Sequence, residues 1–598
     1  MLRSIESLPR PLRRRAAPPD GLRAPPRLSG GLPLVGHTVE FVRATIELLF
    51  RANRELGEVA SFRVFHREMV AVFGPKAHEA VFRAKDEHLS PMEAYEIMTP
   101  VFGEGIVYDA TPERMREQLK MLLPALQDRR MRTYGEAVVH ETEQTVKDWG
   151  RTGVVDFVDF CRVLTNFTSS RCLLGNEFRE RMSEEFAHVY HDLEGGVTPL
   201  AYIHPHLPVP SFRRRDRARE RMVEMIGEIV RERRADGHEG QDFLQTLMES
   251  RYRDGTALSE SEITGMLLAA MFAGHHTSSV TTAWTLLELL QNPTYLARCV
   301  AEVDRVFGDG RPVSHAALRE LHEVERAVKE ALRLHPPLFM LVRVAKQDFV
   351  YEDYFIPKGT WIVVSPTVSH RLPDVFEDPD LFDPDRYGPG RAEDKRDFAY
   401  IAFGGGRHKC LGNAFAILQI KAILALLLGQ FEFGLCGDAI TSDFHGLVIG
   451  PKEPCRIRYK RRAEPSVSLA MADELASLAE DPAGSAAAGC PAHVHPAHAA
   501  ASAEAPAHDR SGGPAEAPAA DADRAEDRPF SIQVDRDLCQ GHAVCVGECP
   551  DVFALGKDDK VIRKVARPAP EHRAKARAAV AHCPTGTLRI VEEPTASR

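Results

Sequence analysis

Nowhere does the chain hold the roughly 20 uninterrupted apolar residues that a membrane-spanning helix needs, so nothing in the sequence places it across a bilayer. Positive charge is not in surplus either. Seventy-six Lys and Arg against 86 Asp and Glu leave a net charge of -10, which argues against a nucleic-acid partner and for small molecules or proteins. Cysteine is sparse until the C-terminal end, where Cys539, Cys545, Cys549 and Cys583 crowd together beside two Cys-Pro dipeptides. Such crowding points to metal rather than to disulfides. No pair of Cys-x2-Cys hooks is present, which disfavours a tetrahedral zinc site. No G-x-G-x-x-G follows a strand and opens a helix, so a nicotinamide- or flavin-binding domain is not evident.

With 598 residues, the chain exceeds one ordinary domain of about 100 to 200 residues. Residues 1–31 form an Arg- and Pro-rich N-terminal tail. An organelle-targeting peptide is an alternative there, against which Asp20 and the prolines argue. From 32 to 462 the pattern is one of long amphipathic helices with a few short strands, such as Ala60 to Phe65 and Met69 to Phe73. Residues 463–527 turn to Ala, Pro, Asp, Glu and His and lack the large apolar side chains needed to fold, so they read as a linker. Within it Ser466 to Glu480 is a candidate short helix, and Cys490, His493, His495 and His498 offer at most an adventitious metal site. Apolar alternation returns in Phe530 to Val534 and again in Thr587 to Val591, so residues 528–598 read as a small α+β domain with paired terminal strands. A flexible coil of about 60 residues spans roughly 40 to 45 Å, which lets the two domains meet repeatedly.

The strongest local signal is Phe403-Gly404-Gly405-Gly406-Arg407-His408-Lys409-Cys410-Leu411-Gly412, followed by an apolar helical run from Asn413 to Leu428. A cysteine just before a helix N-terminus is surrounded by amide N–H groups and the positive end of a dipole, which suits a thiolate. Glycines in such a loop let backbone approach a flat ligand closely. Glu330 and Arg333 stand at i, i+3 on one helix face, and Pro384-Asp385-Arg386-Tyr387 follows. A segment from about Ser259 to Leu290 carries Met271-Phe272-Ala273-Gly274-His275-His276-Thr277-Ser278-Ser279. Together these motifs resemble the cytochrome P450 family: a mainly α fold with small β-sheets that holds haem b through Cys410. The resemblance implies a buried structural network of Glu330, Arg333 and Arg386. It also places Ala273, Gly274 and Thr277 over the oxygen-binding face, where Thr277 steers protons. His276 replaces the family's usual acid, and an imidazole titrating near neutrality can relay protons in its place.

Tyr95-Glu96-Ile97-Met98-Thr99-Pro100-Val101-Phe102-Gly103-Glu104-Gly105-Ile106-Val107-Tyr108-Asp109 resembles the substrate-recognition segment of the sterol 14α-demethylases, and His-Thr-Ser is what that family carries on its oxygen-side helix. The resemblance implies haem contacts from Phe403, Gly404 and Gly412, and propionate contacts from Tyr95, Arg116, Arg343 and His408. Arg114 competes with Arg116 for its place. A sterol pocket of Ile97, Met98, Phe102, Phe272, Ala273, His276, Leu338 and Met340 is implied too. An aliphatic residue at 97 leans toward lanosterol-like, C4-dimethylated substrates. The implied reaction is three successive oxygenations of the 14α-methyl with release of formate, consuming dioxygen.

The tail, with Cys539, His542, Cys545 and Cys549-Pro550 followed by Cys583-Pro584, resembles a bacterial-type ferredoxin in which His542 stands for the second cysteine of the usual run. The resemblance implies that Cys539, Cys545 and Cys583 hold one cluster. Three thiolates favour [3Fe-4S]; [4Fe-4S] with His542 or a rearranged Cys549 is the alternative. A tethered carrier still needs a donor, and a separate NAD(P)H-dependent ferredoxin reductase is expected as partner. Arg407 or Lys409 facing Glu548 or Asp551 is the expected domain contact. The chain reads as soluble, cytoplasmic and bacterial-like. A monooxygenase of another lipid, terpene or xenobiotic, and a non-catalytic haem and iron–sulfur sensor, are the competing readings.

Overall fold

The computed structural model describes residues 17–467 and 529–592, apart from 127, 182–183, 198–200, 202–203, 238–241, 438–439, 444–447, 537–538, 540–543, 557–559, 582 and 584–586. Nearly all of the Ala- and Pro-rich segment, with Cys490 and its neighbouring histidines, and His542 as well, lie outside the described residues.

At the centre runs the helix Glu260–Gln291, about 48 Å long at 1.5 Å per residue. It starts where Ser259 and Glu262 form a reciprocal capping box, satisfying two otherwise orphaned N–H groups. A surface helix shows one apolar stripe; this one is buried on most sides, as expected for an interior helix. Its threonines would cost free energy in such surroundings if unbonded. Thr281, Thr282 and Thr285 instead each donate to the carbonyl four residues back, at 2.6–2.8 Å. Around it pack Phe157–Leu174, Pro210–Asp236, His322–Leu334 and Asn413–Gln430. Among the described residues Asn413–Gln430 alone is long and apolar enough to cross a membrane, and it is buried in the core.

To one side lies a five-stranded sheet ordered Val59–Val64, Arg67–Val72, Trp361–Val364, Leu341–Ala345, Leu89–Ser90. The first two strands form an antiparallel hairpin, with Val59 opposite Val72. Residues 23–28, part of the tail in the sequence reading, run along this sheet. Arg27 bridges Ser61, the Leu28 N–H donates to the Ser61 carbonyl at 2.8 Å, and the Leu28 side chain is buried. Burial of Leu28, with the Ser61 N–H and hydroxyl donating to the Pro26 carbonyl at 2.7 and 3.0 Å, ties the segment down. A three-stranded sheet, Thr152–Asp156, Arg456–Arg461, Phe431–Leu435, closes the opposite end.

The C-terminal unit has its own core of Phe530, Ile532, Val552, Phe553, Val561 and Leu588. Phe530–Val534 pairs antiparallel with Leu588–Glu592, so the two ends of the unit meet in one ribbon. A short hairpin, Phe553–Leu555 with Val561–Arg563, and the helices Val544–Glu548 and Pro570–Ala581 complete it.

Candidate active site

Cys410 ends a tight loop. Its N–H donates to the Phe403 carbonyl at 2.9 Å, closing the turn, and Gly404 and Gly406 take left-handed backbone angles of 69° and 62°. At Gly406 a Cβ would also run into the Phe82 carbonyl, so both conformation and space require glycine. The Cys410 side chain is accessible although it sits inside the body of the domain, so it borders an internal space. Burial raises its thiol pKa, while the Gly412 N–H, bonded to the sulfur, and the Lys409 ammonium oppose that rise. An amide donor, a cation and the start of Asn413–Gln430 are what a metal-bound thiolate requires.

Other groups converge on the same space. Tyr95 and Tyr108 stack at 4.7 Å. Burial first, then the nearby Tyr95, drives the Tyr108 phenol well above its usual range, and the Arg343 guanidinium and Cys410 also act on it. Arg343 is buried and gives one N–H to the Val342 carbonyl at 2.9 Å. His408 lies next to the loop with Nε2 2.6 Å from Asp86 Oδ1. Two phenols, a buried guanidinium and an imidazole beside an accessible thiol form a donor set that fits a porphyrin with two carboxylates. Arg116 is not brought there: exposed, it donates to the Pro112 carbonyl at 2.9 Å and to Glu113 at 2.8 Å. Arg114 lies over the Tyr252 ring, near Asp254 and Glu262.

Ile97, Met98 and Phe102 share one apolar cluster, with Phe272 packed against it and the Phe102 and Phe272 rings edge to face at 5.9 Å. The central helix comes so close here that a Cβ on Gly265 would strike the Phe102 carbonyl. Ala273, although in mid-helix, is exposed, and the Thr277 hydroxyl donates to its carbonyl at 2.6 Å. Met340 is buried and packs in the cluster that Tyr95 adjoins; Leu338 is exposed. The two adjacent histidines differ. His275 is a satisfied core residue, buried, with Nδ1 3.1 Å from Thr165 Oγ1 and a pKa pushed far down by burial. His276 faces Glu194, with Nε2 2.7 Å from Oε1.

Beneath the loop, Glu330, Arg333 and Arg386 are fully buried. Glu330 accepts from Arg333 Nε and Nη2 at 2.8 Å, from Arg386 Nε at 2.9 Å and from the Tyr387 hydroxyl at 2.8 Å. The remaining guanidinium N–H groups reach backbone carbonyls of His370, Leu381 and Glu377, and Glu393.

In the C-terminal unit burial pushes the Cys545 thiol up to about 12, with Cys583 and Cys539 as the neighbouring thiols that add to it. Cys549 is buried in the core, and burial together with Asp551 raises it. Cys545 and Cys549 share one core cluster, with Cys539 and Cys583 packed against it. Cysteines gathered in this way fit an iron–sulfur cluster by their chemistry.

Sequence reasoning missed Glu194, Asp86, Tyr108 and Thr165 as partners of these groups. Tyr108 lies inside a recognised segment; the others carry no local signal.

Residues 25–455 match the family described as cytochrome P450, and residues 532–590 match the family described as a 4Fe-4S single cluster domain. The sterol 14α-demethylase of Mycobacterium tuberculosis is 42% identical over 444 residues, 73% of this chain and 98% of that protein. The sterol 14-demethylase of Arabidopsis thaliana is 40% identical over 74% of this chain and 92% of its own length. The lanosterol 14-alpha demethylase of Bos taurus is 37% identical over 75% and 89%. Among solved structures, a cytochrome P450DA haem domain superposes with a TM-score of 0.67 at 24% identity, covering 74% of this chain and 99% of that one. A retinoic acid bound cyanobacterial CYP120A1 gives 0.66 at 22%, covering 74% and 100%.

Proposed function

The chain belongs to the cytochrome P450 family, among the sterol 14α-demethylases, and carries an iron–sulfur domain; from that premise we propose that it removes the 14α-methyl group of a lanosterol-like sterol, with electrons delivered through its own C-terminal domain. It is a haem-dependent monooxygenase. The observation that carries the substrate reading is the packing of Ile97, Met98 and Phe102 against Phe272, one helical turn from His276 and its Glu194 partner. A large apolar wall beside a proton-handling pair suits a reaction on a bulky hydrocarbon that consumes protons as well as dioxygen.

When bound through Cys410, the haem supplies dioxygen activation and oxygen insertion into a C–H bond. The protein's residues supply the rest. Tyr95, Arg343 and His408 orient the porphyrin through its carboxylates. Ile97, Met98, Phe102, Phe272 and Met340 exclude water and fix the sterol's face, so that one methyl is presented repeatedly. His276 holds a proton at Nε2 against the Glu194 carboxylate, and Thr277 offers a hydroxyl at the exposed stretch around Ala273. Three successive oxygenations convert the methyl to alcohol, then aldehyde, and end in C–C cleavage that leaves a Δ14 double bond and formate. With His542 standing where the second cysteine of the usual run would be, a [3Fe-4S] centre is favoured over [4Fe-4S]. An external NAD(P)H-dependent ferredoxin reductase refills it.

Incubating the purified protein with such a reductase, NAD(P)H and lanosterol tests this. Δ14 sterol and stoichiometric formate are expected. Hydroxylation of another lipid or terpene with no C–C cleavage of any sterol would overturn the substrate reading and leave the monooxygenase intact.

A further inference from the structure

Six charged side chains meet in pairs between the two domains. Arg83, at the end of the helix Pro75–Arg83, sends Nη1 to Asp535 Oδ2 at 2.9 Å while its Nε stays on Glu79. Arg319, just beyond the helix His315–Leu318, pairs with Glu548. The third pair has the opposite sense: Arg589, on the closing strand of the C-terminal unit, sends Nη1 to Asp397 Oδ2 at 2.8 Å. This face belongs to the Cys410 loop. Phe82, beside Arg83, is the residue that a Cβ on Gly405 or Gly406 would strike, and it stacks on Phe398, beside Asp397. Lys409 has both Cys410 and Cys583 as charge neighbours, so a cluster cysteine lies toward the haem-ligand loop. Asp551, in the same unit, lies near His572.

We propose that this is the pose in which electrons pass, and that the reversed pair Asp397–Arg589 fixes the orientation of the ferredoxin domain on the Cys410 face. The proposal rests on the reading that the fused domain supplies the electrons. Each passage oxidises the cluster by one electron and reduces the haem iron by one, and NAD(P)H, through the reductase, restores the cluster. All three pairs are partly exposed, and an exposed pair contributes up to about a factor of five in an equilibrium constant. Such a contact is weak between separate molecules. On a tether with an effective concentration in the range of about mM it is populated, yet released readily for re-reduction. Opposed polarity adds what strength does not: turning the domain on this face brings like charges together, and a partner with a uniformly acidic face meets Asp397 with repulsion.

Full-length holoprotein carrying Asp397→Arg, Arg589→Asp or both tests the pose. Two measurements are made: solution X-ray scattering at low and high salt, and the rate at which the reduced cluster reduces the haem, followed as formation of the carbon monoxide complex. Each single reversal should expand the particle at low salt and slow haem reduction about fivefold or more. The double reversal should restore both to within about twofold of wild type. Single variants indistinguishable from wild type, or a double variant no better than the singles, would overturn the proposal. If the wild-type cluster, once reduced, leaves the haem oxidised while scattering still reports docking, the electron-supply reading fails and the contact stands.

Discussion

His276 and Glu194 lie 82 residues apart and meet at 2.7 Å, and the proposed proton path turns on that pair. Replacing His276 with Ala removes the imidazole of that proposed path. Turnover should fall about 10²-fold, the range for loss of a general acid–base group, with more NAD(P)H consumed per sterol converted; product and cofactor assays on one sample check both. Cys410, the C-terminal cysteines and the paired histidines stand out in the sequence because each sits in a run whose spacing carries meaning on its own. Glu194, Asp86 and Thr165 do not, since a single acid or hydroxyl in an amphipathic helix looks the same whether it faces solvent or an imidazole. Arg116 shows the converse: the motif admits either of two arginines two residues apart, and one pairs with Glu113 while the other lies over the Tyr252 ring. Glu330→Ala would leave Arg333 buried without its anion and Arg386 with Glu393 alone. The loss should be about 3–5 kcal/mol, seen as a lower denaturation midpoint.

Helix ends show how elements depend on residues far away in the chain. His322–Leu334 begins after Leu321, which has no side-chain cap to offer. Glu302, from the helix Pro293–Phe307, does that job: its carboxylate accepts from the N–H groups of His322, Glu323 and Val324 at 2.7–3.1 Å. Glu302→Ala should lower stability by about 1–3 kcal/mol, measurable by chemical denaturation. The central helix was readable to within a residue, because its capping box is local and its apolar run is long. The strands Val59–Val64 and Arg67–Val72 fall one or two residues from their expected places, since alternation marks which residues point inward more sharply than where pairing stops.

For the whole molecule, acid should be destabilising. His78 is buried against Phe398 and Ser369, and burial holds it down at about 4; His370 and His275 are pushed well below the usual range for the same reason. Each takes up a proton near 6.5 when unfolded but stays neutral when folded, so the unfolded state gains protons first. The stability that depends on their neutrality is complete above about pH 6.5 and is lost as pH falls toward 4. His78 alone accounts for about 3 kcal/mol by pH 4. Melting temperatures measured between pH 7 and 4.5 should decline steadily, and His78→Gln should flatten the slope. A long helical region and a separate C-terminal unit with its own cysteines could be told apart in the sequence. Their mutual contacts could not be read there, because surface ion pairs leave no pattern in a single sequence.

Glu262 does two things at once. It caps the central helix, and it accepts from the Tyr252 hydroxyl at 2.9 Å. Tyr252 touches buried Gln118, whose amide takes the N–H of Val107 at 2.7 Å and gives to the Gly105 carbonyl at 2.8 Å. Val107, a β-branched residue at a backbone angle of +48°, stays in that unfavourable shape only while this chain of bonds is intact. The segment around Val107 and the first turn of the central helix therefore share one anchor. Loosening the one should fray the other, so Gln118→Ala is expected to speed amide exchange at Ser261 to Ile263.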